Sequence, residues 1–255
     1  MQGHPAVRMK QKLEYELNDS SPQERKRFIR RTFDSIAGTY DILNRILSFG
    51  VDISWRRFAV GLLGDITGRK ALDICCGTGD FTDLLSKKGA SVVSLDFSLE
   101  MLDRGIASGR IADYPVAADA TRLPFKGNRF DAAVIAFGVR NIPDLNVFID
   151  ECFRVLRQGG DLVIVELTRP GNIIMRAAYR AYLFIGIPVI GGLVSGKLTA
   201  YRYLSKTIAS FIDPENLGRM LERGGFTGVG IHRKFFGVAT VIRCRKEESA
   251  RQLLQ

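Results

Sequence analysis

At 255 residues, 46% hydrophobic and 25% charged, the chain can bury a full core and reads as one globular domain. A net charge of +10 points to an anionic membrane face, a nucleic acid, or simply a solvated basic surface. Four scattered cysteines (Cys75, Cys76, Cys152, Cys244) and two histidines (His4, His232) offer no metal-ligand spacing and no disulfide framework, so no metal and a reducing cytoplasm are expected.

Residues 1–22 are polar, end on Ser20-Ser21-Pro22 and read as a loose basic arm, with no apolar stretch of signal-peptide length. The expected single domain is 23–255, and it opens with a helical cap over 23–63. There Phe28, Phe33, Ile36, Ala37, Tyr40, Leu43, Ile46 and Leu47 recur mostly three or four apart, as one helix face requires; Phe49-Gly50 breaks the pattern and Trp55–Leu63 resumes it.

From residue 70 the pattern alternates. Strands are predicted near 70–75, 91–96, 114–118, 131–137 and 161–167, with helices near 79–88, 98–107 and 144–156, and Gly159-Gly160 marks the turn into the fifth strand. Such alternation gives a parallel sheet covered on both faces.

The first strand stops on Ala71-Leu-Asp-Ile-Cys-Cys-Gly-Thr-Gly-Asp80 and the second on Leu95-Asp96. Glycines at the turn let the backbone pass close to a ligand, and an acid at the tip of the next strand, about 20 residues on, suits a ribose. A nicotinamide dinucleotide fits poorly: Thr82 occupies the third glycine of that motif, and Asp80 at the helix start repels a pyrophosphate while attracting a cation. A sulfonium cofactor, S-adenosylmethionine, fits better. A plain structural turn stays open, since Gly77-Thr78-Gly79 alone is a weak signal.

An insert at 170–211 interrupts the alternation. Ala181–Gly196 is 16 residues without a charge, shorter than the roughly 20 of a membrane span and interrupted by Pro188 and four glycines. Two readings are open: a buried helix pair, or a greasy lid that admits a lipid-like substrate or rests on a bilayer. A helix at 214–223 and strands at 226–233 and 237–244 follow; the short connection at Gly237 makes the last two an antiparallel hairpin.

A parallel sheet closed by such a hairpin is the class I methyltransferase arrangement, and specific motifs narrow it. From about residue 30 to 246 the chain closely resembles the ubiquinone/menaquinone biosynthesis C-methyltransferases. The resemblance rests on Phe33-Asp-Ser-Ile-Ala-Gly-Thr-Tyr-Asp41, Ser48-Phe-Gly50, Trp55-Arg56, Asp73–Asp80, Leu95-Asp-Phe-Ser98, Ala118–Phe125, Phe137-Gly-Val-Arg-Asn141, Arg154–Gly160 and Tyr201-Arg-Tyr-Leu204. Gln158, Leu167-Thr-Arg-Pro170, Ala136 and a missing C-terminal histidine depart from the family pattern.

The resemblance implies a Rossmann-like α/β fold: a mostly parallel seven-stranded sheet with an antiparallel C-terminal hairpin, a helical N-terminal extension and a helical insert. It implies that Thr78, Asp96, Asp119 and Ala120 contact S-adenosylmethionine; Asp73, Gly77, Gly79 and Phe97 complete the expected cofactor-binding set. S-adenosylhomocysteine is the implied product. The implied catalytic residues are Arg140, with Asn141 and Tyr40 positioning the acceptor ring or a water. The implied acceptor is a ring carbon of a polyprenyl quinol, and the implied setting is the cytoplasm with peripheral contact to an anionic membrane. A homodimer is left open.

A nucleic-acid methyltransferase is disfavoured: no Asn/Asp-Pro-Pro-aromatic motif follows the fourth strand, no cysteine lies at the acceptor side, and no basic–aromatic repeat suggests an RNA groove. A methyltransferase of another phenol and a non-enzymatic membrane scaffold remain as alternatives.

Overall fold

The computed structural model describes residues 21–247; the arm expected at 1–22 falls almost wholly outside them. Helix α1 (Pro22–Ile36) starts in a capping box, Ser21 and Glu24 each accepting the other's backbone N–H. Helices α2 (Tyr40–Leu47) and α3 (Asp52–Leu62) follow. The helical cap is therefore three short helices, broken at 37–39 as well as at the expected Phe49-Gly50.

Alternation then sets in: β1 (Lys70–Ile74), α4 (Asp80–Ser86), β2 (Ser91–Asp96), α5 (Leu99–Ala107), β3 (Pro115–Ala117), β4 (Phe130–Ala136), α6 (Leu145–Val155) and β5 (Leu156–Leu167). The insert carries α7 (Ile173–Ala181), a π-turn (Tyr182–Gly186), α8 (Ile187–Ser195) and α9 (Leu198–Ser210). Helix α10 (Pro214–Arg223), β6 (Phe226–Lys234) and β7 (Ala239–Lys246) complete it.

The seven strands are ordered β3-β2-β1-β4-β5-β7-β6; β1 to β5 are parallel and β7 lies antiparallel between β5 and β6. Both faces are covered. Leu72, Ile74, Ala133 and Ile135 pack with α6 residues Phe148, Ile149 and Cys152 on one side, while Ala71, Val134 and Val163 pack with Trp55, Ala59 and Phe81 on the other. Strand order reverses between β1 and β4, so their C-terminal ends splay around a crevice.

Strand β5 departs from expectation. It starts at Leu156, and the register with β4 jumps from Phe130↔Leu156 to Ala132↔Asp161. Gly159, at φ 73°, sits in the bulge that absorbs the extra residues, so the glycine pair lies within the strand rather than before it.

The insert also departs. Ile173–Ser195 runs as one 23-residue helix through Pro188. Proline removes an N–H and crowds the carbonyl four residues back; the π-turn immediately before it loosens the coil there. The helix crosses α9 closely at Gly191, where a Cβ would stand 2.2 Å from Tyr201 Cγ. Only 22% of its most apolar window is buried, which overturns the buried-pair reading. Leu183, Ile187 and Gly191 face inward; Ile173, Ile185, Val189 and Leu193 face out.

Candidate active site

The ends of β1 and β4 form the floor of the crevice. Cys75 (φ 54°) and Phe137 (φ 60°) just beyond them both sit in the left-handed region, a costly conformation for side chains of this size. Gly138 lies against the first of these turns: a Cβ there would be 2.7 Å from Cys75 Cβ. The two strained turns thus touch where the sheet order reverses.

Asp73 is fully buried at the end of β1. Its Oδ2 accepts the Thr82 hydroxyl at 2.7 Å, and its Oδ1 has no partner among the described residues. Burial pushes its pKa up to about 7, against the pull of Thr82. Thr82, the residue that argued against a dinucleotide, is what holds this carboxylate. Asp96, at the tip of β2, accepts the N–H of Gly77 and of Ser98, each at 2.9 Å; burial pushes it to about 6.

Asp119 lies across the crevice, half-buried. It accepts Lys26 Nζ from α1 and the Thr121 N–H and hydroxyl. Burial pushes its carboxyl up, but these donors outweigh it and leave it below the usual range. Between these carboxylates a cavity of about 80 Å³ is lined by Gly77, Asp96, Phe97, Asp119 and Ala120, with Ile29 and Met101 as apolar walls. A smaller one of about 20 Å³ carries Asp73, Gly77 and Thr78. Of the expected cofactor set only Gly79 lines none of these cavities. It packs against Ile111, where a Cβ would come within 2.6 Å.

Asp80 also borders the smaller cavity, but its carboxylate is engaged by arginines. It meets Arg45 (2.8 Å), Arg110 (2.7 Å) and Arg56 (3.8 Å), and these guanidiniums overcome burial to hold its carboxyl below the usual range. Asp52 binds Arg45 and Arg56; Asp41 binds Arg110 and accepts the Thr78 hydroxyl at 2.5 Å. This network ties α2 and α3 to the glycine turn.

A larger cavity of about 250 Å³ opens on the other side of Tyr40 and Phe137. Its walls are almost wholly apolar or aromatic, from Phe33, Trp55, Tyr179, Tyr182, Ile187 and Leu204. Arg140, from the 3₁₀ turn Val139–Asn141 after β4, supplies its buried cation. Nη1 donates to Glu166 Oε1 and to the Phe137 carbonyl, both at 2.5 Å, while the buried Nε has no partner among the described residues. Burial opposes its charge, but Glu166 prevails and raises its pKa. Asn141 Oδ1 accepts the Tyr203 hydroxyl at 2.8 Å. Tyr40 is half-buried, and its desolvation raises its pKa. Phe33, Tyr40, Phe137 and Asn141 border both this cavity and the cofactor-side one.

The expected site residues therefore converge. Sequence reasoning missed Glu166, Tyr203, Lys26 and the arginines on Asp80. Glu166 carried a signal: it is a lone acid ending the apolar run Leu162-Val-Ile-Val165. The others are joined only by long-range folding.

The mouth of the large cavity is greasy outside as well as in. Phe49 (80% exposed) and Phe235 (56%) line it, and Phe236, Ile173, Ile174, Ile185, Val189 and Leu193 are exposed on the neighbouring turn and insert helix. Among the described residues no group of three or more His, Cys, Asp or Glu could hold a metal.

The donor set fits a ligand that brings an ammonium, a ribose and an aromatic base: an orphaned buried carboxylate oxygen, two further carboxylates and an apolar slot. Residues 20–246 match the ubiE/COQ5 methyltransferase family. The demethylmenaquinone methyltransferase of Thermotoga maritima is 41% identical over 85% of this chain and 95% of that protein. The enzyme of the same name from Thermus thermophilus is 42% identical over 82% and 97%. A ubiquinone/menaquinone biosynthesis C-methyltransferase of Pseudomonas putida is 38% identical over 88% and 91%.

Among solved structures, an S-adenosylmethionine-dependent methyltransferase of Thermotoga maritima, described as a possible histamine N-methyltransferase, superposes with a TM-score of 0.61. It shares 18% identity over 86% of this chain and 99% of that one. A phosphoethanolamine N-methyltransferase of Haemonchus contortus in complex with S-adenosyl-L-methionine superposes at 0.56, with 15% identity over 76% and 52%. Those likenesses show the class I fold, and the sequence match shows the lineage: the chain belongs to the ubiE/COQ5 methyltransferase family and is a methyltransferase.

Proposed function

We propose that this S-adenosylmethionine-dependent enzyme methylates a ring carbon of a polyprenylated quinol in respiratory quinone biosynthesis, converting demethylmenaquinol to menaquinol, the ubiquinone-pathway benzoquinol, or both. The observation that carries the reading is the seam at Tyr40, Phe137 and Asn141. It joins a crevice of carboxylates to an apolar cavity holding one buried guanidinium.

Bound in the crevice, S-adenosylmethionine supplies a methyl group activated on a sulfonium and leaves as S-adenosylhomocysteine. Asp73 Oδ1 would take its ammonium, Asp96 the ribose hydroxyls, and Asp119 and Ala120 the adenine edge, with Gly77, Thr78 and Phe97 shaping the walls and Gly79 turning the chain behind them. Methyl transfer needs donor and acceptor aligned about 3 Å apart, which is the office of the seam residues. The acceptor carbon becomes nucleophilic as the neighbouring hydroxyl ionises. Arg140 stays protonated, so it stabilises the oxyanion rather than taking the proton. Tyr40 and Asn141 hold the ring or a water beside it.

The prenyl tail suits the apolar cavity and its exposed mouth, and the apolar rim with a net charge of +10 suits a peripheral stay on an anionic, cytoplasm-facing bilayer. Mass spectrometry of quinones from cells lacking the protein tests this reading. A demethyl precursor should accumulate, and a normal quinone profile would contradict the reading.

A further inference from the structure

Glu166 is 2% exposed and accepts three hydrogen bonds. Oε1 accepts Arg140 Nη1 at 2.5 Å and the Leu167 N–H at 2.8 Å; Oε2 accepts the Arg140 N–H at 3.1 Å. With the Phe137 carbonyl it pins one edge of the guanidinium and the backbone of the same residue. The Nε donor, buried and without a partner among the described residues, is then held on a side chain that cannot turn away. A carboxylate in this place does two things. It fixes the donor geometry, and it cancels much of the guanidinium's charge in a water-poor cavity.

We propose that Glu166 is the positioning residue of the active site: it sets where Arg140 points and how strongly that cation stabilises an ionised acceptor. The proposal rests on the reading of Arg140 given above. The other groups facing Arg140 are Tyr40 on α2, Tyr179 on α7 and Tyr203 on α9. Burial raises the pKa of all three, Tyr203 to about 12, so they stay neutral donors at assay pH. Asp52 on α3 also borders the cavity but is held by Arg45 and Arg56. Glu166 is therefore the one carboxylate, among the described residues, bonded to Arg140.

The test compares Glu166→Gln, Glu166→Asp and Arg140→Ala for kcat, KM for S-adenosylmethionine and the pH dependence of kcat. Glu166→Gln loses an acceptor and the compensating charge. Plateau kcat should fall at least about tenfold with KM for the cofactor within about twofold, and the ascending limb should move about one unit toward lower pH, because an uncompensated cation favours the oxyanion. Glu166→Asp keeps the charge, so its limb should stay at the wild-type pH while kcat falls.

A Glu166→Gln enzyme with unchanged kcat and limb would overturn the proposal, as would a limb that shifts equally in both variants. Should Glu166→Gln not fold, Glu166→Asp decides alone: wild-type kcat overturns it. Undiminished turnover in Arg140→Ala would instead refute the role of Arg140 itself, whatever the Glu166 variants do.

Discussion

Thr82 Oγ1 donates to Asp73 Oδ2 across 2.7 Å, so one oxygen of a fully buried carboxylate bordering the crevice is held while the other, Oδ1, has no partner among the described residues. In the free protein this group is raised to about 7, well above an unfolded value near 3.9. Folding therefore favours its protonated form, and the free protein loses stability as pH rises from about 4 to about 7.

An ammonium partner needs the carboxylate. Affinity for S-adenosylmethionine should rise as pH passes 7 and level off above it, with Asp96, raised to about 6, adding a lower component. Near pH 6.5 binding should release a fraction of a proton. Calorimetry in two buffers of different ionisation enthalpy measures that release, and Asp73→Asn should abolish most of it. A release unchanged in the variant would remove Asp73 from the cofactor site.

Gly138 has a right-handed helical backbone that any residue can adopt (φ −102°, ψ −32°), so its constraint is space, not conformation. Gly138→Ala sets a methyl 2.7 Å from Cys75 Cβ and should destabilise by about 1–3 kcal/mol while lowering turnover. Cys75→Gly removes that Cβ and the left-handed strain at residue 75, so it should restore much of the loss. Urea unfolding of the two single variants and the double variant checks the coupling; strict additivity would contradict it.

Tyr203, on the insert helix α9, donates to Asn141 Oδ1 at 2.8 Å. Tyr203→Phe keeps the ring and its edge contact with Phe28, centroids 5.4 Å apart, but frees the Asn141 amide. Turnover should fall about tenfold with cofactor affinity unchanged, since a misplaced acceptor costs rate rather than binding. Because Tyr203 stays neutral, the pH profile should keep its shape. Steady-state kinetics with calorimetry separates the two effects.

The exposed rim gives a surface prediction. Phe49 and Leu193 are 80% and 82% exposed, and neither lines the carboxylate-bearing cavities of the cofactor side. The pair Phe49→Ser and Leu193→Ser should weaken flotation with vesicles containing anionic lipid while S-adenosylmethionine affinity stays at the wild-type value. Salt should weaken wild-type flotation too, because a screened basic surface loses part of its attraction. Undiminished flotation of the double variant would move the membrane contact elsewhere.

The alternation of strands and helices was legible because buried parallel strands and their covering helices carry local periodicities, and the carboxylates at 73, 96 and 119 fall at positions those periods fix. The bulge at Gly159 and the continuous helix through Pro188 were not, because a glycine pair or a proline reads locally as a stop; only pairing with β4 and the preceding π-turn make them passable. Asp80 shows the same limit. Its place at a helix start predicted an attraction for cations, and the cations that arrive are Arg45, Arg56 and Arg110, from α2, α3 and the loop after α5. Arg140 was visible within a motif, but Glu166, 26 residues on, joins it only because β4 and β5 are neighbours.

The central claim is that the apolar cavity presents a quinol carbon to the carboxylate-lined crevice. The direct test incubates purified protein with S-adenosylmethionine carrying a labelled methyl group and a prenylated demethylnaphthoquinone, reduced or oxidised, followed by mass spectrometry of the lipid. The label should appear on the ring carbon in the reduced reaction and be absent from the oxidised one, whose oxygens carry no ionisable proton. Equal labelling of both forms, or label on oxygen rather than carbon, would contradict the account.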